Sequence, residues 1–196
     1  MSDTSTATPR RITSPFDPAV LAELRAGDAV LITGVLVTAR DAAHARFAEA
    51  IAAGDSLPVE IDGQTIYFVG PAPARPGHVI GSAGPTTASR MDPYSPLLIE
   101  RGLKGMVGKG RRSQAVRDSM MEYGCVYFGA VEGTAALLAR KVTSSVVIAY
   151  NDLGPEAVYR LEVVDFPAVV VNDLFGGDLY EEGPKRWRTA STQSGP

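Results

Sequence analysis

From Gly105 onward the chain alternates short β-branched or aromatic runs with helical stretches, and this alternation narrows the possible folds more than any other feature. Gly105–Val107 reads as a strand, Ser113–Tyr123 as a helix, Cys125–Phe128 as a strand, Thr134–Arg140 as a helix and Ser145–Tyr150 as a strand. Strands separated by helices in this way predict an α/β sheet. Tyr159–Val164 and Ala168–Val171 add two late strands. Upstream, Asp17 is placed to cap a helix that reaches Arg25 and ends at Gly27. Ala29–Thr33 and Val35–Thr38 form an apolar strand interrupted only by Gly34, and an Ala-rich helix, Ala42–Ala53, follows up to Gly54. The turn signal Asp62-Gly63 between Leu57–Ile61 and Gln64–Val69 predicts a hairpin, with a further strand over His78–Ala83 and a helix over Pro93–Arg101.

A length of 196 residues fits one domain with tails, and a hydrophobic share of 45% against 21% charged residues is enough for a packed core. Residues 1–14 are a Ser/Thr/Pro-rich lead-in expected to be disordered, 15–183 the folded domain, and 184–196 a polar, loose tail. The net charge of -3 provides no general field for nucleic acid or an anionic membrane, so an anion site has to be local. No apolar run approaches the roughly eighteen residues of a spanning helix, and the lead-in has no secretory apolar segment. The expected location is the cytoplasm. The lone Cys125 excludes an intrachain disulfide and any thiolate cage for zinc or an iron–sulfur cluster built from this chain alone. No metal site is expected on it, and Cys125 itself reads as a small buried hydrophobe.

The chemistry-bearing residues gather just past predicted strands. Arg40 follows Val35–Thr38, Thr86, Thr87 and Arg90 follow His78–Ala83, and Lys109 follows Gly105–Val107. In open α/β sheets ligands bind outside the carboxyl ends of strands, so two guanidinium groups and an ammonium there suit a dicarboxylate. Taken singly, each reads more readily as an ordinary surface charge, and it is their coincidence at strand ends that brings the anion pocket level with that reading. Gly84-Pro85-Thr86-Thr87 presents amides and hydroxyls together, or else serves as a helix cap through Thr87. The run Gly105-Met106-Val107-Gly108-Lys109-Gly110 lacks the Ser or Thr and the glycine spacing of a phosphate loop. His44, four residues after Arg40, is either an acid/base group or a helix histidine bonded to a neighbouring loop, and His78 reads as structural.

LITGVLVTARDAAH (31–44), GHVIGSAGPTTASRMD (77–92), GMVGKG (105–110), GCVYFGAVEG (124–133) and DFPAVVVND (165–173) together resemble the β subunit, or C-terminal domain, of the iron–sulfur fumarate hydratase and L-tartrate dehydratase family. The resemblance implies a swivelling β/β/α domain, a mixed sheet flanked by helices, that closes over an α subunit. That partner would hold a [4Fe-4S] cluster, while this chain holds none. It also implies a hetero-oligomer, with pairing of two β subunits as a variant, and no nucleic-acid or membrane partner. Residue by residue, Arg40 of RDxAH, Thr86 and Arg90 of GPTTxxRMD and Lys109 of GKG match the family's substrate-contacting positions, with Thr87 beside them. Asp92 in RMD is closer to the fumarate-acting members.

On this reading the reaction is the reversible hydration of fumarate to (S)-malate. Elimination from a 2-hydroxy dicarboxylate needs a Lewis acid on the departing hydroxyl and a base at the adjacent carbon. Arg40, Arg90 and Lys109 hold the carboxylates and stabilise the extra negative charge that develops. The resemblance makes Thr86 the base, which requires nearby cations and amides to stabilise its alkoxide, and His44 is the rival. The alternatives are an L-tartrate dehydratase β subunit and a non-catalytic dicarboxylate-binding module.

Overall fold

The computed structural model describes residues 8–130 and 135–192, with 186–192 as backbone only. Seven strands form one mixed sheet: β1 (Arg10–Ser14), β2 (Ala29–Thr38), β3 (Thr65–Tyr67), β4 (Gly105–Gly108), β5 (Val126–Gly129), β6 (Val142–Ala149) and β7 (Val158–Asn172). β1 to β5 are parallel neighbours in chain order, whereas β7 runs antiparallel to β5, β6 and β2. Because β7 borders β2 over Arg160–Val169 and β5 over Val169–Asn172, the five strands β2, β3, β4, β5 and β7 close into a ring.

Strand alternation then sorts the side chains into two cores. Tyr67, Val107, Val126, Phe128, Ile32, Leu36, Leu161 and Phe166 fill the ring, closed off by Phe16, Leu21 and Leu24 around helix α1 (Pro18–Glu23) and by Leu138 of α5 (Ala135–Ala139). Ile66, Met106, Tyr127 and Val37 point outward instead. They are covered by Phe47 of α2 (Asp41–Ala53), Leu98 and Ile99 of α3 (Ser95–Ile99) and Val116 and Met120 of α4 (Gln114–Tyr123). Cys125 is buried in this second core. Asp17 caps α1 by accepting from Ala19 N at 2.8 Å, and Ser113 caps α4.

Several expectations are corrected. Gln64–Val69 does not form a hairpin with Leu57–Ile61: both edges of the short β3 are already taken by the parallel strands β2 and β4. His78–Ala83 is loop, folded back on itself through Gly81 N–H to the Ala72 carbonyl at 3.1 Å and Ala72 N–H to that of Ser82 at 2.9 Å. The two late strands are one strand, β7, in which the register shifts by one residue opposite Ile32–Gly34 and Asp165 takes a left-handed φ of 50°. Pro93–Arg101 contributes only the five residues of α3, preceded by a 3-10 turn over Ala88–Met91.

The lead-in is ordered from Arg10 to Ser14, because β2 offers an edge over Val30–Gly34 and Ile12 is buried against the ring. Past Gly183 the chain is helical as well, within α6 (Leu179–Thr192), whose start is tied down by Tyr180 N–H to Asp178 Oδ1 at 2.9 Å. Thr134, the first residue of the helix expected over Thr134–Arg140, lies outside the described residues. No helix among the described residues is long and apolar enough to cross a membrane.

Candidate active site

β2, β3 and β4 are adjacent and parallel, so their carboxyl ends share one rim. Arg40 leaves β2 in an extended conformation and caps α2, whose first turn follows at once. Beyond β3, the Phe68 carbonyl accepts the Thr86 N–H at 2.7 Å. Beyond β4, Lys109 N–H donates to the Thr86 carbonyl at 3.3 Å and the Lys109 carbonyl accepts from Ala88 at 2.8 Å, which pairs Thr87 with Lys109. The Gly84–Thr87 loop therefore does not follow a strand of its own. It is laid between the ends of β3 and β4, and the effect is the one the motifs suggest: Arg40, Thr86, Thr87, Arg90 and Lys109 all stand on the rim.

The two guanidinium groups share one carboxylate. Arg90 Nε donates to Asp41 Oδ1 at 2.8 Å, and Arg40 Nε lies 3.7 Å from Asp41 Oδ2. Arg40 Nη2 is also 3.5 Å from Glu156 Oε1, brought in by the turn before β7. The Arg40 side chain is 22% exposed and that of Arg90 51%, so one cation is set into the rim and the other projects from it. Gly70 makes room for the first, since a Cβ there would stand 2.9 Å from Arg40 Nη1. Asp41 was visible in the RDxAH motif but not its bridging role, and Glu156 carries no local signal at all.

His44 lies beneath the rim, 1% exposed, with its ring edge-on to Phe47 and Phe68 and tilted against Tyr94. Burial lowers its pKa to about 4, and the Arg112 charge acts in the same direction against the Arg40 carbonyl and Asp41, so the imidazole is neutral near pH 7. Its Nδ1 is 2.9 Å from the Arg40 carbonyl. A carbonyl can only accept, so Nδ1 carries the hydrogen and Nε2 is left as an acceptor. Among the described residues five buried side-chain polar atoms have no hydrogen-bond partner, and three of them are Arg40 Nε, Asp41 Oδ2 and His44 Nε2. Buried polar atoms are normally satisfied, so this concentration within one helical turn, where Arg40 Nε and Asp41 Oδ2 face each other only as an ion pair, makes the rim the candidate site for a polar ligand.

Arg112, which no motif singled out, and Asp92 of RMD brace the rim. Arg112, whose side chain is fully buried, donates to Asp92 Oδ1 at 2.8 Å and to Ser95 Oγ at 2.6 Å, and lies 5.2 Å from both the Phe68 and Tyr127 ring centroids. Asp92 Oδ2 accepts the Ser113 N–H at 2.7 Å. Asp92 thus ties the Arg90 segment to the Lys109 segment.

No group of three or more His, Cys, Asp or Glu side chains among the described residues could hold a metal ion. The single thiol, Cys125, is enclosed in the outer core and burial pushes it up to about 12. A [4Fe-4S] cluster needs several thiolates, so these residues do not fit one.

Comparison with known proteins agrees with the motifs. The sequence profile of the family described as Fumarase C-terminus matches residues 7–183. The Escherichia coli protein "Fumarate hydratase class I, anaerobic" is 42% identical over 153 residues, covering 77% of this chain and 28% of that protein. "Fumarate hydratase 2" of Leishmania major is 40% identical over 164 residues, 83% of this chain and 29% of that protein. The Methanocaldococcus jannaschii protein named "Putative L(+)-tartrate dehydratase subunit beta" is 36% identical over 170 residues, 84% of this chain and 87% of that protein. The chain thus spans less than a third of these two fumarate hydratases and most of the tartrate dehydratase subunit.

Proposed function

Because the chain belongs to the fumarase C-terminal family, which its profile matches over residues 7–183, we propose that it is the β component of a hydro-lyase that reversibly hydrates fumarate to (S)-malate. The observation that carries this reading is the shared rim of β2, β3 and β4, which gathers Arg40, Arg90, Lys109 and Thr86, with the buried Arg40 Nε, Asp41 Oδ2 and His44 Nε2 making no hydrogen bond. Guanidinium forks match carboxylates, and each arginine has five N–H donors, of which Asp41 takes one from Arg90. A dicarboxylate arriving there meets Arg40, Arg90 and Lys109.

In this reading Arg40, Arg90 and Lys109 hold the two carboxylates and stabilise the negative charge that grows on one of them as the proton leaves carbon. Thr86 accepts that proton, with Thr87 beside it as a further contact. A threonine hydroxyl is a poor base in water, and the cations of the rim are what make an alkoxide there accessible. His44 is the second candidate for the proton, as a neutral imidazole with Nε2 unprotonated. Its burial favours a supporting role, in which Nδ1 holds the Arg40 carbonyl and thereby the start of α2.

Since this chain has one buried thiol, a [4Fe-4S] cluster and the activation of the departing hydroxyl are assigned to a partner α subunit, and the active enzyme is a heteromer. The tartrate dehydratase alternative has support in the Methanocaldococcus jannaschii relative, which matches at subunit size. Anaerobic co-expression with a candidate α subunit, co-purification, and absorbance assays of malate and tartrate turnover test both. A coloured complex that forms fumarate from malate is the expected result. Preference for tartrate moves the substrate, and a chain that binds dicarboxylates with no partner and no turnover replaces the enzyme by a binding module.

A further inference from the structure

The Gly110 backbone, one residue past Lys109, is held on both sides by tyrosine hydroxyls. Gly110 N–H donates to Tyr180 Oη at 3.1 Å, and Tyr127 Oη donates to the Gly110 carbonyl at 3.1 Å. Gly110 has a φ of 84°, in the left-handed region, so this backbone has wide freedom unless something outside it selects one conformation. Tyr127 comes from β5 in the core. Tyr180 comes from the opposite direction, the first turn of α6, and is itself anchored: its N–H donates to Asp178 Oδ1 at 2.9 Å, and Asp178 Oδ2 accepts from Arg117 at 2.6 Å. The Tyr180 carbonyl accepts from Arg111 Nη2 at 3.2 Å, and the Arg111 guanidinium lies over the Tyr180 ring at 5.7 Å. Tyr180 also lines a cleft of about 500 Å³ together with Thr87, Lys109 and Gly110.

We propose that Tyr180 is a positioning residue for Lys109: its hydroxyl selects the backbone conformation at Gly110 and so directs the lysine into the dicarboxylate site. The inference rests on the hydro-lyase reading above and deepens it, because it draws the C-terminal helix, which carries none of the family motifs, into the substrate site. A hydrogen bond to a glycine amide is well suited to the task. It fixes the peptide next to the lysine without competing for the ammonium itself, and Tyr127 fixes the other side of the same residue. Loss of the Tyr180 hydroxyl alone leaves the ring, its packing and the Arg111 stacking in place, so the effect of the bond can be isolated.

The test is a double-mutant cycle in the complex with its α subunit. Tyr180→Phe is expected to lower kcat/KM for malate about tenfold, chiefly through KM, with an unchanged melting temperature. In a Lys109→Met background the same change should add no further loss, because the group being positioned is gone. Where Lys109→Met turnover is too low to follow, the cycle is read from malate affinity of the complex by equilibrium titration. Wild-type kinetics in Tyr180→Phe, or losses that multiply in the double variant, overturn the proposal. A wild-type complex that turns over neither malate nor tartrate overturns the hydro-lyase reading itself.

Discussion

His44 shows how far one residue's surroundings can redirect it. Four residues after Arg40 it has the spacing of an acid/base partner, and in the fold its ring is enclosed by Phe47, Phe68 and Tyr94 while Nδ1 holds the Arg40 carbonyl. Burial lowers its pKa to about 4 from an ordinary value of 6.5. The folded protein therefore refuses a proton that the unfolded chain accepts, and stability present above about pH 6.5 is lost as the pH falls towards 4. The loss amounts to something on the order of 3 kcal/mol when the window is crossed completely. His44→Asn retains an N–H near the Nδ1 position and removes the titration. In urea unfolding at pH 7 and pH 4.5, wild type should lose more stability between the two than His44→Asn does. Equal losses would mean that His44 titrates normally.

Among the elements, β2 depends most on a single backbone position. Its ten residues pair with β1 and then β3 along one edge and with β7 along the other, and Gly34 stands where the β1 pairing ends and the β7 register shifts. Gly34 has a φ of 115°, and a Cβ there would lie 2.0 Å from the Ser14 carbonyl oxygen. The interruption seen in the sequence is thus a close approach of two backbones as well as a kink. Gly34→Ala is expected to destabilise the protein by more than about 1 kcal/mol, through strain and loss of the β1 edge. Thermal melting reports the loss, and faster hydrogen exchange confined to Arg10–Ser14 and the facing part of β2 locates it. A melting temperature equal to wild type would remove the constraint.

At the scale of the whole molecule, the ring and its outer layer meet at the Asp92–Arg112 pair. Arg112 is sandwiched between the Phe68 and Tyr127 rings, and its pKa is lowered by burial against the opposing effect of Asp92. The pair connects the turn that carries Arg90 with the segment that follows Lys109, and so couples rim geometry to global packing. Breaking a buried pair by removing one partner leaves an uncompensated charge, with a typical loss of about 3–5 kcal/mol. Arg112→Met should lose stability on that order in denaturant unfolding, and the Asp92→Asn, Arg112→Met double variant should recover part of it. A double variant no more stable than Arg112→Met would show that Asp92 is not left stranded.

The sequence alone determined those elements whose signals are local: the α/β class from the alternation after Gly105, the cap at Asp17, the helix from Ala42 to Gly54, and the family from RDxAH, GPTTxxRMD and GKG. It also placed Arg40 and Lys109 beyond strand ends, because a residue just after a strand can hardly stand elsewhere in a parallel sheet, whereas Arg90 reaches the rim on a loop laid between β3 and β4 rather than after a strand of its own. What only the tertiary structure decided depends on partners distant along the chain. Thr65–Tyr67 is a parallel strand and not half a hairpin because β2 and β4 occupy its edges, and Arg10–Ser14 is ordered because β2 leaves an edge open to it. Asp41 bridges Arg40 and Arg90, Glu156 reaches Arg40 from 116 positions away, and Tyr180 reaches Gly110 across 70. Periodicity and capping are written into neighbouring residues, whereas edge occupancy, burial and long-range hydrogen bonds exist only once the chain has closed on itself.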